Sequence, residues 1–567
     1  MRAVLAVLPV LLAACAAEVV DQPAAPQVAA ELVLLVDANI VTMDPERPRA
    51  SAMAWRDDRI VALGTEAEVR AAVDEPDRVL DLDGATVVPG FIETHDHLVM
   101  GAGTLAVADL TPFTHPTLAD ALVELGETEP DEHGWIVGFG LDPSLVPEQR
   151  GPTLAELDAI SPTRPLIAYH LSGHAAYVNS LALQHAGIDT QTPDPAGGYY
   201  ERDDDGHLTG YLSGQPTFLE LRPYPAPTVE VLLANAQRRA EAGVTTASEM
   251  GFMSPLALEL ARDATSREDF PVRVIGAIAI NMPDFEEVAR DRARYETRRL
   301  TLKFGKMWAD GSPQGGTAYF RDGYHDPAFG GAGPRAAQSV LDQTVASFYE
   351  LGLWPAIHAN GDGAVDVALD AIAHAQRGRD TSGTRPHLIH AQLVQPDQIA
   401  RMAELGVLVT FFTAHVYWFG DLHLARTMGP DRGQRLDPMG DAFAAGLRPA
   451  MHNDPPVTPV DPLLSMWTAV VRQSSTGRPV GADQAITAEQ ALAAYTTNAA
   501  YLFGIEADAG SLEVGKLADF VVLDRDPLAV PGAEIRAIEV LATVVGGGVV
   551  YRSDAVADRI PALVRAE

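Results

Sequence analysis

A chain of 567 residues, 47% hydrophobic and 21% charged, can bury a large core, and its scattered polar and turn residues exclude both disorder and a polytopic membrane protein. The 77 acidic against 41 basic residues leave a formal charge of -36, which repels nucleic acid and anionic membrane surfaces, so no nucleic-acid partner is expected. Only Lys303, Lys306 and Lys516 are lysines, so nearly all positive charge is arginine.

Residues 1–15, MRAVLAVLPVLLAAC, combine one arginine, an apolar run too short to span a bilayer, and small residues ending at the only cysteine. This is an export-signal pattern. Its Leu12-Ala13-Ala14-Cys15 ending resembles a bacterial lipobox, which implies lipidation at Cys15 and an exported, lipid-anchored protein on a bacterial membrane; an ordinary secretory signal is the alternative. One cysteine excludes an intramolecular disulfide. Residues 16–31, rich in Ala, Pro and Val, have the composition of a tether.

From 32 to 90, LVLLVDANIVTMD, RIVALG and ATVVPG predict short strands closed by turns, and Val-rich runs return at 501–567 in SLEVGKLADFVVLDRDP and IEVLATVVGGGVVYRS. Two β-rich ends predict a composite β-sandwich domain. Between them, 91–500 alternates helical patterns with apolar strands: TVEVLLANAQRRAEAG before VTTASEM, AAQSVLDQTVASFYELG before LWPAIHAN, PDQIARMAELG before VLVTFF. That repetition predicts an α/β fold, a (β/α)8 TIM-like barrel, with a doubly wound sheet as the alternative. No nucleotide-binding glycine motif follows a strand. The turn-rich, aromatic stretch at about 113–215 is too long for one βα unit and is expected as an insertion over the barrel mouth.

The chemistry-bearing residues fall at the ends of the apolar runs. In PGFIETHDHL, His95 and His97 stand two apart in a predicted strand, so both imidazoles leave one face. His358, His390 and Asp454 close LWPAIH, RPHLIH and RPAMHND, and active sites of such barrels form at the carboxyl ends of strands. Singly, each is as well explained as a capping or satisfied polar residue; together, four histidines and an aspartate point to a divalent metal, with Zn(II) the best match and Mn, Fe or Ni open. Lys306, retained in an arginine-rich chain inside LTLKFGKMWADG, points to a need for an amine that can become neutral and react with CO2 to a carbamate; an ion-paired lysine is the alternative. Lys303, three residues earlier, is expected on the opposite face of the strand.

With VVPGFIETHDH followed in order by GWIVGFGLDP, GHAAYVNSLAL, AGVTTASEMG, KMWADGSPQGGTA, HANGDGAVD, HNDPPVTPVDPL and GSLEVGKLADFVVLD, the chain resembles the amidohydrolase superfamily, in its family 3 branch that includes N-substituted formamide deformylases. The resemblance covers nearly everything after the signal. It implies a binuclear or partly occupied site for divalent ions, zinc by the resemblance, held by His95, His97, a carbamylated Lys306 bridge, His358, His390 and Asp454, and a small-molecule substrate whose amide, N-formyl or N-acyl C–N bond is cut by metal-activated hydroxide. Asp454 is then the proton shuttle; Asp142, His174, His415 and Trp418 are candidate substrate-pocket residues, with a structural role the alternative for each, and His452 is a candidate neighbour that orients Asp454. Three positions depart from the branch: Ser172 where an acid is common, Gly316 where arginine is frequent, and Ser213-Gly214 where a glutamate often stands. They leave the substrate open. Deaminase, esterase or decarboxylase chemistry, or a non-catalytic solute-binding lipoprotein, are the competing readings. Beyond the lipid anchor no membrane contact is expected, and a homodimer is the candidate assembly.

Overall fold

The computed structural model describes residues 31–560 apart from 174, 196–197, 219–220 and 223–226. The expected signal, Cys15 and nearly all of the expected tether lie outside the described residues, as does His174. No helix among the described residues is long and apolar enough to cross a membrane.

Eight strands form one parallel sheet in chain order: β1 (Phe91–Ile92), β2 (Val244–Phe252), β3 (Arg273–Ala279), β4 (Leu300–Trp308), β5 (Trp354–Ala359), β6 (His387–His390), β7 (Leu408–Phe411) and β8 (Ala450–Met451). The periods that predict these units are seen in the structure. TVEVLLANAQRRAEAG supplies helix Val229–Glu241 before β2, and PDQIARMAELG supplies Pro396–Leu405, which stops at Gly406 in a left-handed conformation (φ 66°) before β7. The edge strands meet through side chains and loops: the Thr94 hydroxyl donates to the Met451 carbonyl at 2.9 Å, the Asn453 N–H to Glu93 Oε1 at 2.9 Å, and the Asp454 N–H to the His95 carbonyl at 3.1 Å. The sheet is thereby a TIM-like barrel. Its amino end is filled by Phe304, Ala356, Ile389 and Ala450 against Phe503 of helix Thr497–Phe503.

Two further sheets combine the chain ends. One holds Leu32–Val36, Ala52–Arg56, Arg59–Gly64 and Arg78–Asp81; the other joins Asn39–Val41, Arg49–Ala50 and Thr86–Pro89 to Phe520–Leu523, Val540–Val545 and Gly548–Arg552. Thr86–Pro89 and Phe520–Leu523 pair antiparallel, with Val88 opposite Val521. Val33 and Trp55 of the first sheet share a buried cluster with Val87, Phe520 and Val544 of the second, and the Trp55 and Phe520 rings meet edge to face at 5.5 Å.

Between β1 and β2 lies a six-stranded sheet running from Ala108 to Ser213, with helices Leu118–Glu127, Leu154–Ile160 and Ser180–Ala186. Phe139, Tyr169 and Leu171 from this sheet and the turn after it face the cavity at the barrel's carboxyl end. The segment expected as turn-rich is therefore a folded α/β layer, with its own buried clusters.

Candidate metal centre

A cavity of about 620 Å³ opens at the carboxyl ends of the barrel strands, and His95, His97, His358, His390 and Asp454 all line it. His95 and His97 do not lie in a strand, as the sequence suggests; β1 stops at Ile92. The chain nevertheless stays extended beside β2, because the Glu93 N–H donates to the Thr246 carbonyl at 2.9 Å and the Met250 N–H to the Asp96 carbonyl at 2.9 Å. Alternation of side chains survives on that account. His95 and His97 turn inward, while Asp96 turns outward and receives two bonds from Arg239, from Nε at 3.0 Å and Nη2 at 2.7 Å.

Asp454, three residues beyond β8 with φ 56°, brings Oδ1 within 3.3 Å of both His95 Nε2 and His97 Nε2. His390, the last residue of β6 with φ 72°, places Nδ1 3.9 Å from Asp454 Oδ2. Ligand atoms of His95, His390 and Asp454 all lie within 4.8 Å of one another. His390 Nε2 is 3.1 Å from His358 Nδ1, and His358 Nε2 lies 3.1 Å from the Gly311 carbonyl.

Hydrogen bonding assigns the tautomers of two of these rings. Thr94 donates to Met451 O, so the 2.6 Å contact between the Thr94 and Thr410 hydroxyls uses the Thr410 proton. Thr410 must then accept from His452 Nδ1 at 2.9 Å, which leaves His452 Nε2 as the acceptor for His390 Nδ1 at 3.0 Å. The remaining nitrogen of His390, Nε2, therefore presents its lone pair toward His358. Burial holds His95, His390 and His452 well below the usual imidazole pKa, the neutral state a metal ligand needs.

His452 thus orients His390, where the sequence suggested Asp454. Glu249, which the sequence did not single out, faces His97: its Oε1 is 3.5 Å from His97 Nδ1, and its Oε2 accepts from the Val99 and Met100 N–H groups at 2.7 and 3.1 Å, at the start of helix Leu98–Ala102. Its place at the carboxyl end of VTTASEM, like that of His358 in its own strand, was the available signal. Burial lowers the His97 pKa, and Glu249 and Asp454 outweigh it to a net rise.

Lys306 lies inside β4, fully buried, with Nζ making no hydrogen bond and standing 5.3 Å from the Trp308 ring centroid. Burial first, opposed by Asp454 and Glu249, takes its pKa from 10.5 to about 7; burial likewise raises Asp454 to about 7. Lys303 occupies the position skipped where the register between β3 and β4 shifts, so simple strand parity does not describe the pair. Its ammonium donates to the Phe503 and Gly504 carbonyls at 2.8 and 3.2 Å, capping the helix that plugs the barrel.

The expected pocket residues divide. His415 lines the cavity, with Nδ1 3.0 Å from His423 Nε2. Asp142 does not line it: the carboxylate accepts from the Ser144 N–H and hydroxyl at 2.9 and 2.6 Å in a local turn. Trp418 packs instead against Phe113, with ring centroids 4.7 Å apart.

The residues present fit a bound cation. Asp454 Oδ1 is buried without a hydrogen-bond partner 3.3 Å from His95 Nε2 and His97 Nε2, and Lys306 Nζ is likewise buried and unpartnered; such orphan groups are costly unless something they ligate is bound.

Similarity to known proteins agrees with this arrangement. The model of the amidohydrolase family matches residues 78–551. The chain is 32% identical over 541 residues, 92% of its own length and 98% of the relative's, to N-substituted formamide deformylase of Arthrobacter pascens. It is 27% identical over 531 residues, 90% and 98% of the two lengths, to the putative amidohydrolase YtcJ of Bacillus subtilis. An uncharacterized metal-dependent hydrolase from Pyrococcus horikoshii OT3 shares the fold with a TM-score of 0.71 and 25% identity, over 88% of this chain and 99% of that one. The chain belongs to the amidohydrolase family and is a metal-dependent enzyme that hydrolyses carbon–nitrogen bonds other than peptide bonds in a small-molecule substrate.

Proposed function

We propose that the enzyme hydrolyses an N-formyl or related N-acyl amide at two divalent ions, zinc by the chemistry of the ligands. The observation that carries the reading is the buried, unpartnered Asp454 Oδ1 beside the Nε2 atoms of His95 and His97 and within ligand distance of His390, with the unpartnered Lys306 Nζ buried in the same barrel. His95, His97, His358 and His390 would hold the ions, with Asp454 and, as a carbamate, Lys306 completing the ligand set. Bound divalent cations lower the pKa of water toward about 7 and polarise a carbonyl. Asp454, held between His95 and His97, takes the proton from the attacking water and returns it to the leaving nitrogen. His452 and Glu249 keep His390 and His97 in position.

The same reading divides the chain into a barrel over 91–500, carrying an insertion at about 113–215, and a composite β-sandwich from 32–90 and 501–567. On the pattern of an export signal at 1–15 and a tether at 16–31, the proposed enzyme is exported and anchored through a lipid on Cys15 to a bacterial cell membrane, at its periplasmic or extracellular face, and a homodimer is its proposed assembly.

The test is product analysis of zinc-loaded enzyme on N-formyl, N-acyl and cyclic amides beside ester, deamination and decarboxylation substrates. Release of formate or another acid together with free amine is expected. Release of ammonia, alcohol or CO2 without amide cleavage would contradict the assignment. Asp454→Asn should keep the bound metal and lower kcat by about 10²–10⁴-fold; a fully active variant would remove Asp454 as the proton carrier.

A further inference from the structure

We propose that the substrate is an anionic amide: a C–N bond at the metal centre, an apolar body, and a carboxylate received by Arg335. The inference rests on the proposed amide hydrolysis and narrows its substrate class. Among the described residues that line the cavity, Arg335 is the single lysine or arginine, and Asp454 the single acid.

Arg335 belongs to the segment between β4 and helix Gln338–Glu350, and its backbone N–H donates to the Ala309 carbonyl at 2.8 Å, which ties it to the carboxyl end of β4. Its side chain is exposed to solvent where it lines the cavity, and its guanidinium has no ion pair and no hydrogen bond among the described residues. The acid that acts on it electrostatically, Asp310, is committed elsewhere: its two oxygens accept N–H groups from Asn360, Gly361 and Tyr319, each at 2.9 Å. In a chain of net charge -36, in which many arginines hold carboxylates, this one faces a cavity without one. A guanidinium so placed is built to receive a planar anion in two parallel hydrogen bonds.

The walls beside it are apolar, contributed by Met307, Trp308, Val340 and Leu341 from the two elements that flank Arg335. Gln392, two residues after His390, also lines the cavity, fully buried, and neither its Oε1 nor its Nε2 has a hydrogen-bond partner. One acceptor and one donor side by side match the N–H and C=O of an amide. Gln392 therefore reads the scissile group, and Arg335 the charge carried beyond the apolar body.

The decisive comparison uses N-formylphenylalanine and N-formyl-2-phenylethylamine, which differ only by the carboxylate. In zinc-loaded wild-type enzyme the anionic compound should have a kcat/KM at least about tenfold higher. Arg335→Gln should erase that ratio, and Arg335→Lys should keep part of it, because charge remains while the bidentate fork is lost. Affinities of both compounds for zinc-loaded Asp454→Asn, by calorimetry, give the same ratio without turnover. Equal kcat/KM or equal affinity for the pair, or a carboxylate preference that persists in Arg335→Gln, would overturn the proposal. An Arg335-dependent binding preference without formate release by wild type would support it while rejecting formamide hydrolysis. Binding of neither compound would overturn both.

Discussion

Lys306 shows how burial converts a cation into a reagent. An ordinary lysine keeps its proton to pH 10.5, but the desolvated amine in β4 loses it near pH 7, with Asp454 and Glu249 limiting the fall. The neutral form, which alone reacts with CO2, therefore grows as pH rises through about 7. At fixed dissolved CO2, uptake of divalent ions by the apo enzyme should increase from about pH 6 to about pH 8. The His97 pKa is also shifted, raised against burial by Glu249 and Asp454, so the diagnostic quantity is the CO2-dependent part of the uptake. That part should vanish in Lys306→Arg, whose guanidinium stays protonated; uptake indifferent to CO2 would exclude the carbamate. Thr410 acts on the same centre by hydrogen bonding alone, through His452 to His390. Thr410→Val removes the acceptor for His452 Nδ1 at nearly constant volume. It should weaken metal binding by about 10–100-fold, measured by competition with a chelator, and unchanged affinity would break the relay.

Helix Leu98–Ala102 and β2 are coupled through one carboxylate. Glu249 accepts two N–H groups at the start of the helix with one oxygen and faces His97 with the other, so the strand end fixes both the helix and a metal-facing ring. Glu249→Ala leaves those donors buried. It should cost about 1–3 kcal/mol of stability by denaturant melt and lower metal affinity together with kcat. A loss of stability with metal affinity intact would confine Glu249 to capping. Such couplings explain what was legible in the sequence. Alternation and helical period in VTTASEM or PDQIARMAELG are local, and they foretell β2 and Pro396–Leu405 closely. Thr94 and Thr410 are 316 positions apart, and Asp96 and Arg239 are 143 apart. No local period records which distant residues will meet, so the contact of Glu249 with His97 and the route from His452 to His390 were not legible. Neither was the register shift that gives Lys303 its place beneath the barrel.

In the whole molecule, chain closure makes the centre. β1 and β8 come from opposite ends of the barrel segment, and the bonds from Thr94 to Met451, Asn453 to Glu93 and Asp454 to His95 join them at the point where His95 and Asp454 meet. The sheet between β1 and β2 then supplies one wall of the cavity, and the loop after β4 supplies Arg335. The histidines and Asp454 were recognisable as chemistry because each followed an apolar run. Asp142 and Trp418 were not separable from structural residues, since a turn carboxylate and a packed indole have no sequence mark that a pocket residue lacks. All of this depends on cations at the floor of the cavity. The most direct measurement is anomalous scattering from crystals of purified, zinc-loaded enzyme. Two ions are expected, ligated by His95, His97, His358, His390 and Asp454, with added density on Lys306 Nζ. A floor without ions, its imidazoles hydrogen-bonded only to one another and to Asp454, would contradict the account.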